Sequence, residues 1–177
     1  MAIRTVSNIG GNFNVAATWV GGIIPTNVDT IAFTATSGPL TLDDNSPIRG
    51  INFTNYTNVF TIPNGSSLGL FFEDNGVTPA FVNLGTGGYT FVNGGSNNGF
   101  DLSNCNVNPI LTSSGINFPF LLTALFSGGA TYINIVGTWN QSGAITANTL
   151  YISGGTFTHT GSLLDVVPPY YFDISVY

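Results

Sequence analysis

A short apolar–x–apolar step recurs along almost the whole chain and is separated by turns rich in glycine, asparagine and proline. The steps begin with Ile31/Phe33 and Leu40/Leu42 and continue as far as Leu150/Ile152. This two-residue period is typical of a β-strand that buries one face, and no long window has the period of a helix. The sequence therefore predicts an all-β fold.

The spacing of the steps indicates how the strands are arranged. In the first half of the chain a new step begins about every 8 to 11 residues, so two or three strand-and-turn units give a coil of about 20 to 30 residues, as in solenoid proteins. We therefore expect a β-solenoid over residues 37–161, a capping segment over 1–36 and an aromatic tail over 162–177. An antiparallel β-sandwich or jelly roll remains the alternative, because it has similar short strands and because the steps become irregular over 104–130.

The charge content excludes some classes of partner. Charged residues make up 6% of the 177 residues, the net charge is −6, and Arg4 and Arg49 are the two basic residues. Two arginines cannot neutralise a run of phosphates, so we expect no nucleic-acid partner and no attraction to an anionic membrane. The single cysteine, Cys105, cannot form an internal disulfide and is interpreted as a small buried hydrophobic residue.

The first residues and the apolar runs bear on localisation. Met1 to Thr5 have no apolar core of a signal peptide, and the longest apolar stretch, around 118–126, is too short to span a bilayer and contains Pro119. We therefore expect no signal peptide and no membrane insertion. A virion component, or a protein of the extracellular surface, fits these features.

Residues 17–31 carry a resemblance to a known group of proteins. They read Ala-Thr-Trp-Val-Gly-Gly-Ile-Ile-Pro-Thr-Asn-Val-Asp-Thr-Ile, which resembles the W-x-GG-x-x-P opening of β-helical phage fibre, decoration and bacterial adhesin proteins. The resemblance implies a right-handed parallel β-helix that forms homo-oligomers such as trimers and acts as a scaffold or receptor binder. It implies contacts with other virion proteins or a host-surface glycan, and it supplies no catalytic motif.

The same opening has a physical interpretation as an N-terminal cap. Trp19 would plug the end of the core, Gly21 and Gly22 would let the chain fold back over it, and Pro25 would stop strand pairing. Asp29 would accept hydrogen bonds from exposed turn amides. The alternative role for Trp19 is stacking on a sugar.

Candidate catalytic and metal-binding residues are few. His159, the one histidine, shares a strand face with Phe157 and has no nucleophile motif near it, so we interpret it as structural. Asp43-Asp44 and Glu73-Asp74 are carboxylate pairs, but neighbouring residues on a strand point to opposite faces. Asp43 with Asp74 is the cross-coil pair that could serve a glycosidase, and solvated turn acids are the simpler interpretation. We expect no enzyme activity, no metal site and no cofactor.

The C-terminal tail and a few aromatic residues are the candidate contact sites. Tyr170, Tyr171, Phe172 and Tyr177 follow a Pro-Pro break and are predicted to contact a neighbouring subunit. The leading function is thus a structural virion or surface protein. A carbohydrate-binding adhesion module is the second hypothesis, and it requires an exposed groove containing Trp139, Tyr132 or Tyr151. A capsid or filament lattice subunit is the third.

Overall fold

The computed structural model describes residues 2–63, 68–95, 98–124, 130–147, 149–161, 163–164 and 174–176. In these ranges the chain is all-β, with eighteen strands and one short 3₁₀ helix at Ala16–Thr18. The strands belong to three sheets, which we call sheets 1, 2 and 3, with eight, four and six strands. The sequence-based prediction of an all-β fold is confirmed.

The strands are numbered in chain order and grouped here by sheet. Sheet 1 contains, in spatial order, β1 (Ile3–Thr5), β3 (Thr30–Ala32), β6 (Gly50–Asn52), β9 (Phe81–Asn83), β12 (Ile110–Phe118), β14 (Ala130–Gln141), β16 (Thr149–His159) and β18 (Ile174–Val176). Sheet 2 contains β2 (Gly11–Asn12), β4 (Leu40–Thr41), β7 (Val59–Ile62) and β10 (Thr90–Asn93). Sheet 3 contains β5 (Ser46–Ile48), β8 (Gly69–Glu73), β11 (Gly99–Asn104), β13 (Leu121–Ala124), β15 (Ile145–Ala147) and β17 (Leu163–Leu164).

Neighbouring strands in all three sheets are parallel. Between β3 and β12 the chain visits sheet 1, sheet 2 and sheet 3 in turn, three times over. Each strand pairs with the strand from the next visit to the same sheet, as β6 does with β9 and β7 with β10. The antiparallel sandwich is therefore wrong for the described strands, because its strands would pair in opposite directions.

The register of each strand pair gives the number of residues between paired positions. Along sheet 1, Ile31 pairs with Ile51, Ile51 with Val82, and Val82 with Leu111, which are separations of 20, 31 and 29 residues. Ile133 pairs with Ile152 after 19 residues. These separations agree with the sequence-based interval of about 20 to 30 residues.

In-register pairing stacks the inward side chains into columns. Ile31, Ile51, Val82 and Leu111 form one such column and each is at most 1% exposed. In sheet 3, Leu70, Phe100, Leu122 and Ile145 form another. Each column buries aliphatic or aromatic surface against the strand above and below, which is the main favourable contribution to stability.

Aromatic rings fill the centre between the sheets. Phe100 contacts the rings of Phe72, Phe118 and Phe120, with centroids 4.9 to 5.9 Å apart. Phe118 in turn contacts Trp139, at 5.1 Å. Edge-to-face and offset pairs of this kind stabilise beyond the area they bury. The core is thus continuous from one pass of the chain to the next.

The irregular region predicted at 104–130 is only partly irregular. Its strands β12 and β13 are ordinary members of sheets 1 and 3, but the register between β12 and β14 shifts between Ser114 and Asn117. A similar shift between β14 and β16 follows Ile135. These shifts are of the β-bulge type, which bends a strand and changes which face a side chain occupies.

Candidate functional site

The N-terminal segment covers the edge of the first strand of sheet 1. Val6 N donates to Ala32 O towards β3, whereas Ser7 N donates to Thr18 O on the opposite side of the same strand. Val20 N donates to Thr5 O, and Val6 and Trp19 form an antiparallel bridge. Residues 18–20 therefore lie along the outer edge of β1 and form hydrogen bonds with part of the backbone that would otherwise be unpaired.

Trp19 lies beneath this covering segment and is 2% exposed. Its indole Nε1 donates to Phe13 O at 2.7 Å, and its ring meets the Phe13 ring edge-on at 5.2 Å. A buried tryptophan with its N–H satisfied cannot stack on a sugar without leaving the core. The alternative role for Trp19 is therefore wrong for this conformation, and its position fits the predicted plug.

The residues predicted around Trp19 form the turn that follows it. Gly21 and Gly22 have φ of 82° and 68°, values that favour glycine, and Gly22 N donates to Trp19 O at 2.9 Å. Pro25 is buried and lies outside any strand. This arrangement matches a chain that folds back after Trp19 and then stops pairing.

Asp29 is the polar centre of the segment and is 2% exposed. Its carboxylate accepts from Ala2 N, from Thr26 N and Oγ1, and from Arg4 Nε, at 3.0 to 3.2 Å. Burial acts to raise the pKa of Asp29, but the hydrogen bonds from Arg4, Ala2 and Thr26 and the positive charge of Arg4 outweigh it, so the pKa is lowered. Arg4 lies opposite Ile31 in the strand register, so its side chain points to the inward face of β1 and places a charge at the edge of sheet 1.

Replacing Asp29 with asparagine should lower the free energy of unfolding by roughly 3 kcal/mol at pH 7, because Arg4 loses a buried partner. The folded-state pKa of Asp29 is lowered, so its contribution is complete above the unfolded value of about 3.9 and is lost as the pH falls through the folded value. Urea unfolding at pH 7, 5 and 3 measures this. The difference between wild type and Asp29→Asn should stay constant from pH 7 to 5 and shrink at pH 3.

A matched control uses Asp44, which is exposed and accepts a hydrogen bond from the adjacent Asn45 N. Asp44→Asn should change stability little at any of the three pH values. Equal losses for Asp29→Asn and Asp44→Asn would contradict the role given to Asp29.

Trp139 was predicted to be a contact residue, and its position does not fit that role. It is 0% exposed, packs on Phe118 and donates from Nε1 to Gln141 Oε1 at 3.0 Å. Gln141 is also buried and donates to the carbonyl oxygens of Phe120 and Gly143. Trp139 is a core residue, so the predicted sugar groove cannot include it.

Tyr132 and Tyr151, the other two residues of that predicted groove, lie side by side on the outer face of sheet 1. They are paired in register on β14 and β16, and their rings stack at 4.7 Å with an interplanar angle of 20°. Tyr132 is 51% exposed and Tyr151 is half-buried. They form an aromatic platform on a sheet surface.

The predicted contact residues of the tail, Tyr170, Tyr171, Phe172 and Tyr177, lie outside the described residues. Between them, β18 pairs in parallel with β16, with Leu150 opposite Ile174 and Ile152 opposite Val176. This part of the tail therefore extends sheet 1 by one strand.

The structure does not bring Asp43 and Asp74 together. Asp43 precedes β5 and accepts from Asn14 N at 3.0 Å, whereas Asp74 follows β8 and accepts from Gly76 N and Val107 N. Because β5 and β8 are paired, the two acids lie at opposite ends of these strands, on the order of 20 Å apart at about 3.3 Å per residue. A glycosidase needs two carboxyl groups within about 10 Å, so this pair does not meet the requirement.

His159 and Cys105 have structural positions. His159 is half-buried and pairs in register with Gln141, and its Nε2 is buried without a hydrogen-bond partner in the described part of the chain. The Cys105 thiol is 1% exposed and donates to Phe72 O. Within the described ranges, no three His, Cys, Asp or Glu side chains converge to hold a metal ion.

Cys105 should resist alkylation until the chain unfolds. Burial, with the nearby charges of Asp74, Asp101 and Glu73, raises the pKa of its thiol to about 12. At pH 8 roughly one molecule in 10⁴ would carry the reactive thiolate, against about a quarter for an ordinary thiol. Iodoacetamide labelling followed by mass spectrometry should therefore modify Cys105 rapidly in urea and at least about a thousandfold more slowly without it. Equal rates would contradict its burial.

A shallow groove of about 150 Å³ opens on the outward side of sheet 3. Gly69 and Gly99, paired in register on β8 and β11, have no side chains to fill it. Its walls include Phe71, Asp101 and Thr123, which form a row across three neighbouring strands. Asp101 Oδ1 accepts from Ser103 N and Oγ. The groove thus offers a ring surface, a carboxylate and a hydroxyl side by side.

Sequence reasoning missed this groove and the partner of Asp29. Glycine inside a strand often marks a close approach or a missing side chain, and Gly69 and Gly99 each precede an inward apolar residue. Arg4 is the one charged residue near the first strand, so an acidic partner could have been sought for it. Neither pattern identifies the partner, because both depend on strands distant in sequence.

Comparison of the chain with protein-family models, with curated proteins and with solved structures finds no match in any of the three. Within the described residues, no helix has the length and apolar character needed to cross a membrane.

Proposed function

We propose that the chain is a structural protein of a virion or cell surface, built as a right-handed parallel β-helix whose N-terminal segment caps its first coil. One observation carries the proposal: strands from successive passes of the chain pair in parallel and in register within three sheets. A parallel crossover between such strands is right-handed in nearly all proteins. Stacked coils of this kind give a rigid support for contact surfaces.

Further features favour a structural role over a catalytic one. The inward columns are apolar and tightly buried, and the outer positions of the strands are mostly uncharged. The acids at Asp43 and Asp74 act as acceptors for turn amides. The resemblance of residues 17–31 to the opening of phage fibre, decoration and adhesin proteins favours a virion or surface location, with other virion proteins as partners.

The location can be tested with antibodies raised against the purified protein. Immunogold electron microscopy of cultures of the source should show label on the outside of virions or cells. If label is found only inside cells, whether or not the culture has released particles, the proposal is contradicted. Pre-adsorbing the antibodies with purified protein controls for non-specific label.

A second candidate function is recognition of a glycan at the outer groove of sheet 3. The observation that favours it is the row formed by Phe71, Asp101 and Thr123 beside Gly69 and Gly99, which have no side chains. An aromatic ring beside hydrogen-bonding groups suits a sugar ring. A glycan array should show saturable binding that Asp101→Asn removes and Asp44→Asn retains. An array without saturable binding would eliminate this function.

A further inference from the structure

An asparagine followed by a glycine is a pair of residues that can react with itself. Glycine has no side chain to keep its backbone nitrogen away from the side-chain carbonyl carbon of the asparagine before it. The described chain contains this pair at 75–76, at 93–94 and at 98–99. The three pairs differ in the group that accepts a hydrogen bond from the glycine N–H, and this difference separates the first pair from the other two.

In two of the pairs the glycine nitrogen is held by the backbone of a neighbouring pass of the chain. Gly94 N donates to Ile62 O at 2.8 Å, and Gly99 N donates to Leu68 O at 3.0 Å. Asn98 is in addition 0% exposed. A backbone carbonyl oxygen is too weak a base to remove the amide proton, so these nitrogens stay in the hydrogen-bond pattern of the fold.

The third pair lies in the turn between β8 and β9, where both residues are exposed. Here the glycine N–H donates to a carboxylate, because Gly76 N lies 2.7 Å from Asp74 Oδ1. A carboxylate at this distance from a proton is positioned to act as a general base. Gly76 has a φ of 76°, and a Cβ built on it would meet nothing within 4 Å. The turn therefore has room for a ring to close between Asn75 and Gly76.

The side-chain carbonyl of Asn75 is surrounded by hydrogen-bond donors. Its Oδ1 accepts from Thr78 N at 2.7 Å, from Val77 N at 3.1 Å and from Arg49 Nη2 at 3.1 Å. Donors aimed at a carbonyl oxygen stabilise the negative charge that develops on it when a nucleophile attacks the carbon. None of these three bonds involves Asn75 Nδ2, the nitrogen that such an attack would expel.

Arg49 is a buried cation, and this is an independent observation that points to a carboxylate at residue 75. It is 4% exposed, and its Nη2 also donates to Thr78 O at 2.6 Å. Among the residues that the structure describes, no carboxylate forms an ion pair with it, although buried charges are generally paired. The neutral Oδ1 of Asn75 occupies the position of an anionic partner, and hydrolysis of the side-chain amide would create that anion.

We propose that Asn75 is a self-modification site, at which the chain converts this asparagine to aspartate or isoaspartate through a cyclic imide. Gly76 N forms a bond to Asn75 Cγ while Asp74 takes the proton from that nitrogen. The same proton passes to Asn75 Nδ2, the Cγ–Nδ2 bond breaks, and ammonia leaves. Water then adds to one of the two imide carbonyls and opens the ring, which leaves a carboxylate beside Arg49. The reaction consumes water alone and does not depend on the surface location proposed above.

The test follows the three asparagines in the same molecule by peptide mapping and mass spectrometry during incubation in neutral buffer. Asn75 should lose ammonia at least about tenfold faster than Asn93 or Asn98, which serve as internal controls. It should also react at least about tenfold faster in the folded chain than in urea, because only the folded chain supplies the base and the donors. Simple protection of an asparagine by folding would give the opposite ratio.

A variant of the proposed base tests the mechanism. Asp74→Asn keeps an oxygen that can accept from Gly76 N but cannot take up its proton, so conversion of Asn75 should slow at least about tenfold. Asp44→Asn removes the same charge from another exposed turn and should leave the rate unchanged. Wild type that is isolated already converted, with asparagine retained in Asp74→Asn, would support the proposal as well.

Three results would overturn the proposal. They are a rate at Asn75 no higher than at Asn98, a rate in urea equal to or above that of the folded chain, and an unchanged rate in Asp74→Asn. Circular dichroism establishes that Asp74→Asn is folded. The comparison of folded with unfolded wild type decides the question without that variant.

Discussion

Replacing Phe100 with alanine should lower the free energy of unfolding by about 3 to 5 kcal/mol. Phe100 is 1% exposed and its ring contacts those of Phe72, Phe118 and Phe120. Removing it loses the transfer free energy of the ring and leaves a cavity between passes of the chain that rigid neighbouring strands cannot close. Urea unfolding followed by fluorescence or circular dichroism measures the loss.

Phe71 is the matched control, because it lies on the neighbouring strand β8 but on its outward side. Phe71→Ala should cost about 1 kcal/mol or less, since its ring is already partly solvated. If the two substitutions cost the same, the assignment of inward and outward faces in sheet 3 is wrong.

Replacing Gly10 with alanine should cost at least about 3 kcal/mol, from two independent causes. Its φ of 69° is unfavourable for any residue with a Cβ. A Cβ there would also overlap the backbone of Pro39 and Gly38, which cannot move aside as a flexible side chain can. Gly38 N donates to Ser7 O and Gly11 N to Pro39 O, so the same overlap would break the contact between the first two passes of the chain.

A substitution at Gly76 distinguishes backbone strain from steric overlap. Its φ is 76°, and an added Cβ would meet nothing within 4 Å. Gly76→Ala should therefore cost only the backbone strain, about 1 to 2 kcal/mol. Thermal unfolding of both variants measures the difference, and a Gly10→Ala protein as stable as Gly76→Ala would show that residues 10 and 38 do not pack backbone to backbone.

The core could be predicted from sequence because each strand is short and one-sided. Residues at the apolar–x–apolar steps, such as Leu40, Ile51, Phe60 and Val82, are at most 1% exposed. A strand turns alternate side chains to alternate faces whatever its neighbour is. The inward set therefore follows from the local pattern alone.

The direction of pairing could not be predicted in the same way. Alternation is identical in a parallel and an antiparallel strand with one buried face, and the partners of Val82 lie 31 and 29 residues away in sequence. Spacing favoured a parallel arrangement early in the chain but became irregular over 104–130. In the structure, the irregular spacing corresponds to longer strands and to register shifts in β12 and β14.

Trp139 shows where attention to residue type misled the prediction. Trp139 is 0% exposed, but a register shift follows Ile135 on the same strand, so alternation counted from Ile133 and Ile135 did not by itself fix its face. A sugar-binding groove requires an exposed aromatic ring, and Trp139 was one of three candidates for it, with Tyr132 and Tyr151. The buried amide of Gln141, which accepts from the indole N–H, is what lets tryptophan occupy the core there.

The central claim, that successive passes of the chain stack in parallel, is tested most directly by nuclear Overhauser effects from the Val82 methyl groups. Parallel stacking predicts cross-peaks to side chains of both Ile51 and Leu111, the residues paired with Val82 on either side. Assigned methyl labels would make the two contacts unambiguous. Cross-peaks to residues of an adjacent hairpin, with none to Ile51 or Leu111, would contradict the parallel arrangement and the proposed β-helix with it.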